Sequence, residues 1–199
     1  MFKIPDGYEK FCEPTPFCEA NDPEIKKLAE EITKNKNTPE EASKAIFEWV
    51  RDKVRWDILP TVGAKKLLKR KPIAGICTDK VNLFIALCRA IGIPARYLFI
   101  YCDLKTILKE LPKRVGHAAA EVFINGEWII SDPTFGENEE TLFHPNKFGE
   151  PSWESAREII RLRSLSRFIV FIDNFIVTTR MLATSRKFKE ALNKFRDKK

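Results

Sequence analysis

The 199-residue sequence contains no glutamine, no Cys-x-x-Cys pair and no apolar run long enough to cross a bilayer. The missing Cys-x-x-Cys pair argues against a zinc ribbon or a thioredoxin-type redox site. The first residues lack the apolar core of a signal peptide. A glutamine-free chain rich in Lys, Glu and Arg weakly suggests a thermophile. We therefore expect a cytoplasmic protein without a metal, a cofactor or a membrane partner.

The composition is that of a globular chain, with 44% hydrophobic and 32% charged residues, which is enough to build a core without disulfides. Cys12 and Cys18 are close enough in sequence to form a local bridge, but a cytoplasmic location favours free thiols. The net charge is +7, and part of it lies in the basic segment from Lys65 to Lys71. No nucleic-acid motif accompanies this charge, so nucleic-acid binding is not favoured.

Four helices are predicted in the first half of the chain. Asp22-Pro23-Glu24 has the cap, proline and acidic first turn of a helix start, and Thr38-Pro39-Glu40-Glu41 forms a capping box. A basic helix is expected near Thr61–Arg70. The fourth helix begins at Cys77, carries a regular apolar face and ends near Gly92.

The second half of the chain predicts a small antiparallel sheet. Arg96–Cys102 is rich in aromatic and β-branched residues, which favours a strand, and Asp103 is positioned to cap a short helix after it. His117–Ile124 and Glu127–Ser131 flank Asn125-Gly126, a strong signal for a two-residue hairpin. Helices followed by such a sheet give an α+β fold. From Ser152 onward we expect two or three further helices.

The hairpin spacing brings two polar residues together. Asp132 would lie opposite Ala119, which is two residues from His117 along the strand. Asp132 and His117 would then share one face of the pleat, with their Cα atoms about 7–8 Å apart. A hydrogen bond between Asp132 and the His117 ring is therefore expected. Cys77 starts a helix, where unpaired N–H groups favour the thiolate. Nucleophile, base and orienting carboxylate are the groups that acyl transfer through a thioester requires. The alternative is that Cys77 is one more small buried residue.

Three linked motifs closely resemble those of the transglutaminase-like superfamily over roughly residues 40–136. The residues that carry the resemblance are Gly75-Ile-Cys77-Thr-Asp79, Leu87-Cys-Arg89-Ala-Ile-Gly92-Ile-Pro94-Ala-Arg96, His117-Ala118, Glu121-Val122, Asn125-Gly126, Trp128 and Asp132-Pro133-Thr134. The resemblance implies a papain-like fold, with Cys77 as nucleophile, His117 as general base and acid, and Asp132 as the orienting carboxylate. It also implies a peptide or protein substrate, with hydrolysis favoured over cross-linking. Residues 1–150 would form the transglutaminase-like domain, and residues 151–199 a helical extension packed on it.

The resemblance is incomplete at several places. Relatives often carry an aromatic residue where this chain has Ala119, so a more open cleft wall is expected there. Papain-like proteases use Gln as an oxyanion donor, and this chain has none. Trp56 is the candidate donor by analogy of role, and core packing is its alternative. A catalytically inactive scaffold that binds a protein partner remains the second hypothesis for the whole chain.

Five other polar positions receive structural interpretations. Asp79 is interpreted as a helix-start charge, and Glu121 as a structural hydrogen-bonding group or a cleft residue. Arg89 and Arg96 are expected to pair with acidic residues, and His144 to lie in a loop.

Overall fold

The structure is a computed structural model that describes residues 1–57, 59–104, 114–136 and 146–165. A 3-10 turn at Glu9–Phe11 precedes the regular elements. In chain order these are α1 (Pro23–Ile32), α2 (Pro39–Lys53), β1 (Arg55–Trp56), α3 (Ala64–Leu68), β2 (Ala74–Gly75), α4 (Cys77–Ala90), β3 (Ala95–Leu104), β4 (Arg114–Ile124), β5 (Glu127–Ser131) and β6 (Trp153–Leu162).

The helix starts follow the caps predicted from sequence. The Asp22 carboxylate accepts the Glu24 N–H at 2.9 Å, and Thr38 and Glu41 form the reciprocal capping box of α2. These contacts satisfy N–H groups that a helix start otherwise leaves without partners. Helix α4 is the centre of the fold, because it packs against α1, α2, α3, β3 and β4. Within the part of the chain that the structure describes, no helix is long and apolar enough to cross a membrane.

The main sheet has the strand order β5-β4-β3-β6, and its neighbouring strands are antiparallel. The predicted hairpin is confirmed, with Ile124 opposite Glu127. Its turn residues Asn125 and Gly126 both have positive φ, 53° and 89°, as a two-residue turn between twisted strands requires. A second, two-stranded parallel sheet joins β1 to β2 immediately before α4. The helices and the antiparallel sheet therefore form the expected α+β core.

The helix expected from Ser152 is wrong over Trp153–Leu162, which forms strand β6. This segment contains helix formers such as Glu, Ala and Arg, but it pairs with β3, whose edge would otherwise leave backbone groups without partners. Long-range pairing thus overrides local propensity. The predicted cap at Asp103 is also wrong, because Asp103 lies inside β3. The remaining predicted helices, from residue 166 onward, lie outside the described residues.

The two faces of the sheet pack differently. Ala118, Ala120 and Val122 of β4 face the large core around α4. On the opposite face, Ala119 packs in a smaller cluster with Leu98, Ile100 and Trp153. Ala119 is fully buried there, so the open cleft wall expected at this position is not present.

The N-terminal segment is ordered but largely irregular, as predicted. Tyr8 stacks on Phe123 of β4 with ring centroids 3.8 Å apart, and Phe11 meets the Trp128 ring edge-on at 5.1 Å. The Phe2 N–H donates to the Ile91 carbonyl at the end of α4. The segment is thus fixed to both the sheet and the central helix.

Candidate active site

Cys77 is the first residue of α4 and is half-buried. Gly75 lies in β2 two residues earlier, where an added Cβ would come within 2.6 Å of the Asp79 Cβ. Asp79 is buried, and its carboxylate accepts the N–H groups of Thr61 at 2.8 Å and Val62 at 2.9 Å, together with that of Ile76 at 3.3 Å. Asp79 thus lies in the first turn of α4, as interpreted from the sequence, and burial raises the pKa of its carboxyl. Its contacts hold the turn that presents the thiol.

His117 lies in β4 and is buried between two potential partners. Its Nε2 is 2.6 Å from Oδ2 of Asp132, which confirms the hydrogen bond expected from the hairpin register. Interaction with the Cys77 side chain is among the causes that raise the pKa of His117, so the thiol lies near the imidazole. Because Nε2 faces Asp132, Nδ1 is the ring nitrogen that remains for the thiol.

Asp132 follows β5 and is fully buried. Its Oδ1 accepts the Thr134 N–H at 3.1 Å and the Thr134 hydroxyl at 2.5 Å. Its Oδ2 accepts the Ser152 hydroxyl in addition to His117. An ionised carboxylate only accepts hydrogen bonds, so Nε2 of His117 carries the proton in this pair.

The electrostatics of the pair favour the charged forms of both partners. Burial lowers the pKa of His117, but the Asp132 charge, its hydrogen bond and the contact with Cys77 raise that pKa well above 6.5. Burial raises the pKa of Asp132, but His117 and the hydroxyl groups of Ser152 and Thr134 bring it below 3.8. An imidazolium–carboxylate pair at neutral pH is the consequence.

The segment after Asp132 is fastened to the helical half of the fold. Asn146 donates its side-chain amide to the Asp132 carbonyl at 2.9 Å. Lys80, buried on α4 one turn after the nucleophile, donates to the carbonyls of Thr134 at 2.7 Å and Arg51 at 3.1 Å. These two hydrogen bonds give polar partners to a side chain whose burial would otherwise be costly.

Sequence reasoning missed both Ser152 and Lys80. A lysine three residues after Cys77 on an otherwise apolar helix was a visible signal for a buried cation. Ser152 offered none, because nothing in the neighbouring sequence fixes its position relative to Asp132.

The structure places Trp56 in β1, opposite Gly75 and therefore near the start of α4. Its side chain is half-buried and is not among the residues that pack in the described core. Core packing stays the alternative for this residue. Its role as an oxyanion donor stays a proposal.

The other singled-out polar residues have structural partners. Glu121 is buried and binds Arg96 at 2.6 Å and Arg161 at 3.3 Å, so it is a structural hydrogen-bonding group. Arg96 therefore pairs with an acidic residue as predicted, and it also lies 3.9 Å from the Trp128 ring. Arg89 differs, since its guanidinium donates to backbone carbonyls, including that of Ala95 at 2.7 Å. His144 lies outside the described residues.

Burial disfavours the thiolate at three further cysteines, Cys12, Cys18 and Cys88. Burial raises the pKa of Cys12 to about 11 and that of Cys18 to about 12, and it raises the pKa of Cys88 well above 9.0. These three cysteines and Cys77 are free thiols, so the local bridge between Cys12 and Cys18 is not formed.

Across the described ranges, no group of three or more His, Cys, Asp or Glu side chains is arranged to hold a metal ion.

Comparison with known proteins gives one family and several similar structures. The sequence profile of the transglutaminase-like superfamily matches residues 26–133, slightly more than half of the chain. No curated protein gives a significant match. A solved structure from Cytophaga hutchinsonii, described as a candidate cysteine protease, is 31% identical with a TM-score of 0.54. The match covers 66% of this chain and 43% of that one.

Two further solved structures are more distant. The periplasmic domain of TgpA from Pseudomonas aeruginosa is 18% identical with a TM-score of 0.48, over 65% of this chain and 48% of that one. A candidate protease from Parabacteroides distasonis is 14% identical with a TM-score of 0.43, over 62% of this chain and 24% of that one. The present chain matches less than half the length of each of the three structures.

Proposed function

This chain belongs to the transglutaminase-like superfamily, and from that premise we propose that it is a thiol enzyme acting on amide bonds. The family match and the 31% identical structure confirm the papain-like, transglutaminase-like core expected from the sequence. The observation that carries the proposal is the buried hydrogen bond between His117 and the Asp132 carboxylate, together with the interaction with Cys77 that helps to raise the pKa of His117.

The first half of the proposed reaction forms a thioester. The Cys77 sulfur, as thiolate, attacks the carbonyl carbon of a peptide or protein amide, and a carbon–sulfur bond forms. His117, protonated at both ring nitrogens, then gives its Nδ1 proton to the leaving nitrogen as the carbon–nitrogen bond breaks. Asp132 holds the ring through Nε2 and stabilises its positive charge.

The second half releases the acyl group and restores the thiol. His117, now neutral, accepts a proton from water while the water oxygen attacks the thioester carbon. The carbon–sulfur bond breaks, and the products are a carboxylic acid and the Cys77–His117 pair in its starting state. An amine in place of water would give transamidation by the same steps. We propose hydrolysis, because water is abundant and its exclusion needs a specially shaped site.

The negative charge that develops on the carbonyl oxygen needs hydrogen-bond donors. The backbone N–H of Cys77, at the start of α4, is the proposed first donor. The indole N–H of Trp56 is the proposed second donor, supported by the pairing of β1 with β2 directly before the nucleophile. Cytoplasmic location and a thermophilic source remain predictions.

The proposal is tested by trapping the acyl-enzyme. The full chain is incubated with a mixed peptide library, quenched in acid and analysed by mass spectrometry, with and without a small primary amine. An acyl mass on Cys77, followed by acid products in water, supports hydrolysis, and amide products with the amine support transamidation. Cys77→Ala should abolish turnover, whereas Cys12→Ala, which alters a half-buried thiol elsewhere, should not.

The competing hypothesis is an inactive scaffold of the same fold that binds a protein partner. It predicts no acyl mass on Cys77 with any library peptide. It is also favoured if peptide cleavage survives in Cys77→Ala, since that cleavage would come from a contaminant.

A further inference from the structure

We propose that Ser152 is a positioning residue for His117, because its hydroxyl shares one carboxylate oxygen of Asp132 with the imidazole. This inference rests on the proposed function, since it assigns a role within the same site. Ser152 stands directly before β6 and is half-buried. Its Oγ donates to Asp132 Oδ2 and lies 3.5 Å from His117 Nε2.

The two oxygens of Asp132 are held by different parts of the chain. Oδ1 accepts the N–H and the hydroxyl of Thr134, only two residues away, so this contact is local. Oδ2 accepts donors from β4 and from the residue before β6, which are distant in sequence. Ser152 therefore ties the orientation of the carboxylate to the pairing of β6 with β3. This contact gives the edge strand a role at the site.

The Ser152 hydroxyl also weakens the electrostatic attraction between the Asp132 carboxylate and the His117 imidazole. A donor that shares Oδ2 takes up part of its negative charge, so the charge available to the His117 ring is reduced. Two other ionisable groups act near the ring: Cys77 of α4 helps to raise the pKa of His117, and Lys80 binds the carbonyl of Thr134, two residues after Asp132. A proton held too strongly by His117 would be transferred slowly to the leaving amine.

The test is the titration of the His117 ring, followed by NMR in the full chain. The sequence contains only two histidines, so His144→Gln assigns the signals. In Ser152→Ala we expect the His117 titration to move to higher pH by about half a unit, because losing one donor to the shared oxygen changes the other hydrogen bond by only a fraction of its energy. Ser152→Thr keeps the hydroxyl and should remain near the wild type. Ser164→Ala, which removes a hydroxyl bonded only to the Leu165 carbonyl among described contacts, should not shift it.

The result that overturns the inference is a Ser152→Ala titration that overlays the wild type or moves no further than in Ser164→Ala. Failure of the proposed function gives a different pattern. In that case the His117 titration moves as expected in Ser152→Ala, but the alkylation rate of Cys77 by iodoacetamide is the same with and without His117. If alkylation depends on His117 while Ser152→Ala changes nothing, the function stands and the role of Ser152 is refuted.

Discussion

Replacing Asp79 tests whether its carboxylate holds the turn before Cys77. The side chain is 1% exposed and accepts three backbone N–H groups, from Thr61, Val62 and Ile76. Two of these belong to the loop before α3, and the third precedes the nucleophile. Asp79→Ala removes all three acceptors at once, whereas Asp79→Asn keeps one acceptor oxygen and nearly the same shape.

The expected loss follows from the number of donors left without partners. A buried donor that loses its acceptor costs about 1–3 kcal/mol, so three donors set an upper range near 9 kcal/mol. Two effects reduce this upper range. The loop donors are only partly buried and can reach water. Burial also raises the pKa of Asp79, so the charged form is not fully stabilised. We expect about 3 kcal/mol for Asp79→Ala and about half of that for Asp79→Asn.

Urea unfolding followed by circular dichroism measures this difference. Asp22→Ala is the control, because Asp22 caps α1 through one backbone N–H at 2.9 Å and pairs with the exposed Lys65, and its loss should cost about 1 kcal/mol. A loss of about 3 kcal/mol is a large part of the 5–15 kcal/mol that typical domains possess. The reasoning is refuted if Asp79→Ala costs no more than Asp22→Ala, or if Asp79→Asn is the more damaging change.

Three further predictions concern the site and its supports. Gly75→Ala should lower the unfolding midpoint and slow alkylation of the nucleophile, since an added Cβ would lie 2.6 Å from the Cβ of Asp79; unchanged values in both assays would contradict this. The raised pKa of His117 stabilises the fold below pH 6.5, and this stabilisation is lost as the pH rises through the raised value. The lowered pKa of Asp132 stabilises the fold above pH 3.8, and this stabilisation is lost as the pH falls through the lowered value. Unfolding midpoints measured against pH should show this window between pH 3.8 and 6.5 in the wild type and lose it in Asp132→Asn. Trp56→Phe should slow amide cleavage by about 100-fold while leaving alkylation within about twofold, because only cleavage develops an oxyanion; equal effects on both reactions would exclude the proposed donor.

The features that sequence predicts well here are those set by neighbouring residues. The caps at Asp22 and Thr38 act within one helical turn, so their effect is visible in a short window. Asn125-Gly126 fixes the hairpin register, and that register alone places Asp132 beside His117. Local chemistry therefore predicted the carboxylate–imidazole contact before any tertiary information.

The features that were missed depend on contacts between distant segments. Strand β6 forms because β3 has a free edge, and nothing in its own sequence signals that edge. Ser152 reaches Asp132 only because β6 is in place, and Lys80 finds carbonyl acceptors that belong to residues 29 and 54 positions away. Helix propensity and spacing within one segment contain no information on such partners.

The most direct test of the central claim is the pH dependence of Cys77 alkylation by iodoacetamide, mapped by mass spectrometry. It compares the wild type, His117→Ala, His144→Ala as the matched histidine control and Cys77→Ser as the site control. Cys12, Cys18 and Cys88 should label slowly, because burial raises the pKa of each thiol. The account predicts fast labelling of Cys77 below about pH 8 that His117→Ala abolishes and His144→Ala preserves. Labelling of Cys77 that follows the same pH curve with and without His117 would contradict the claim that the two residues act together.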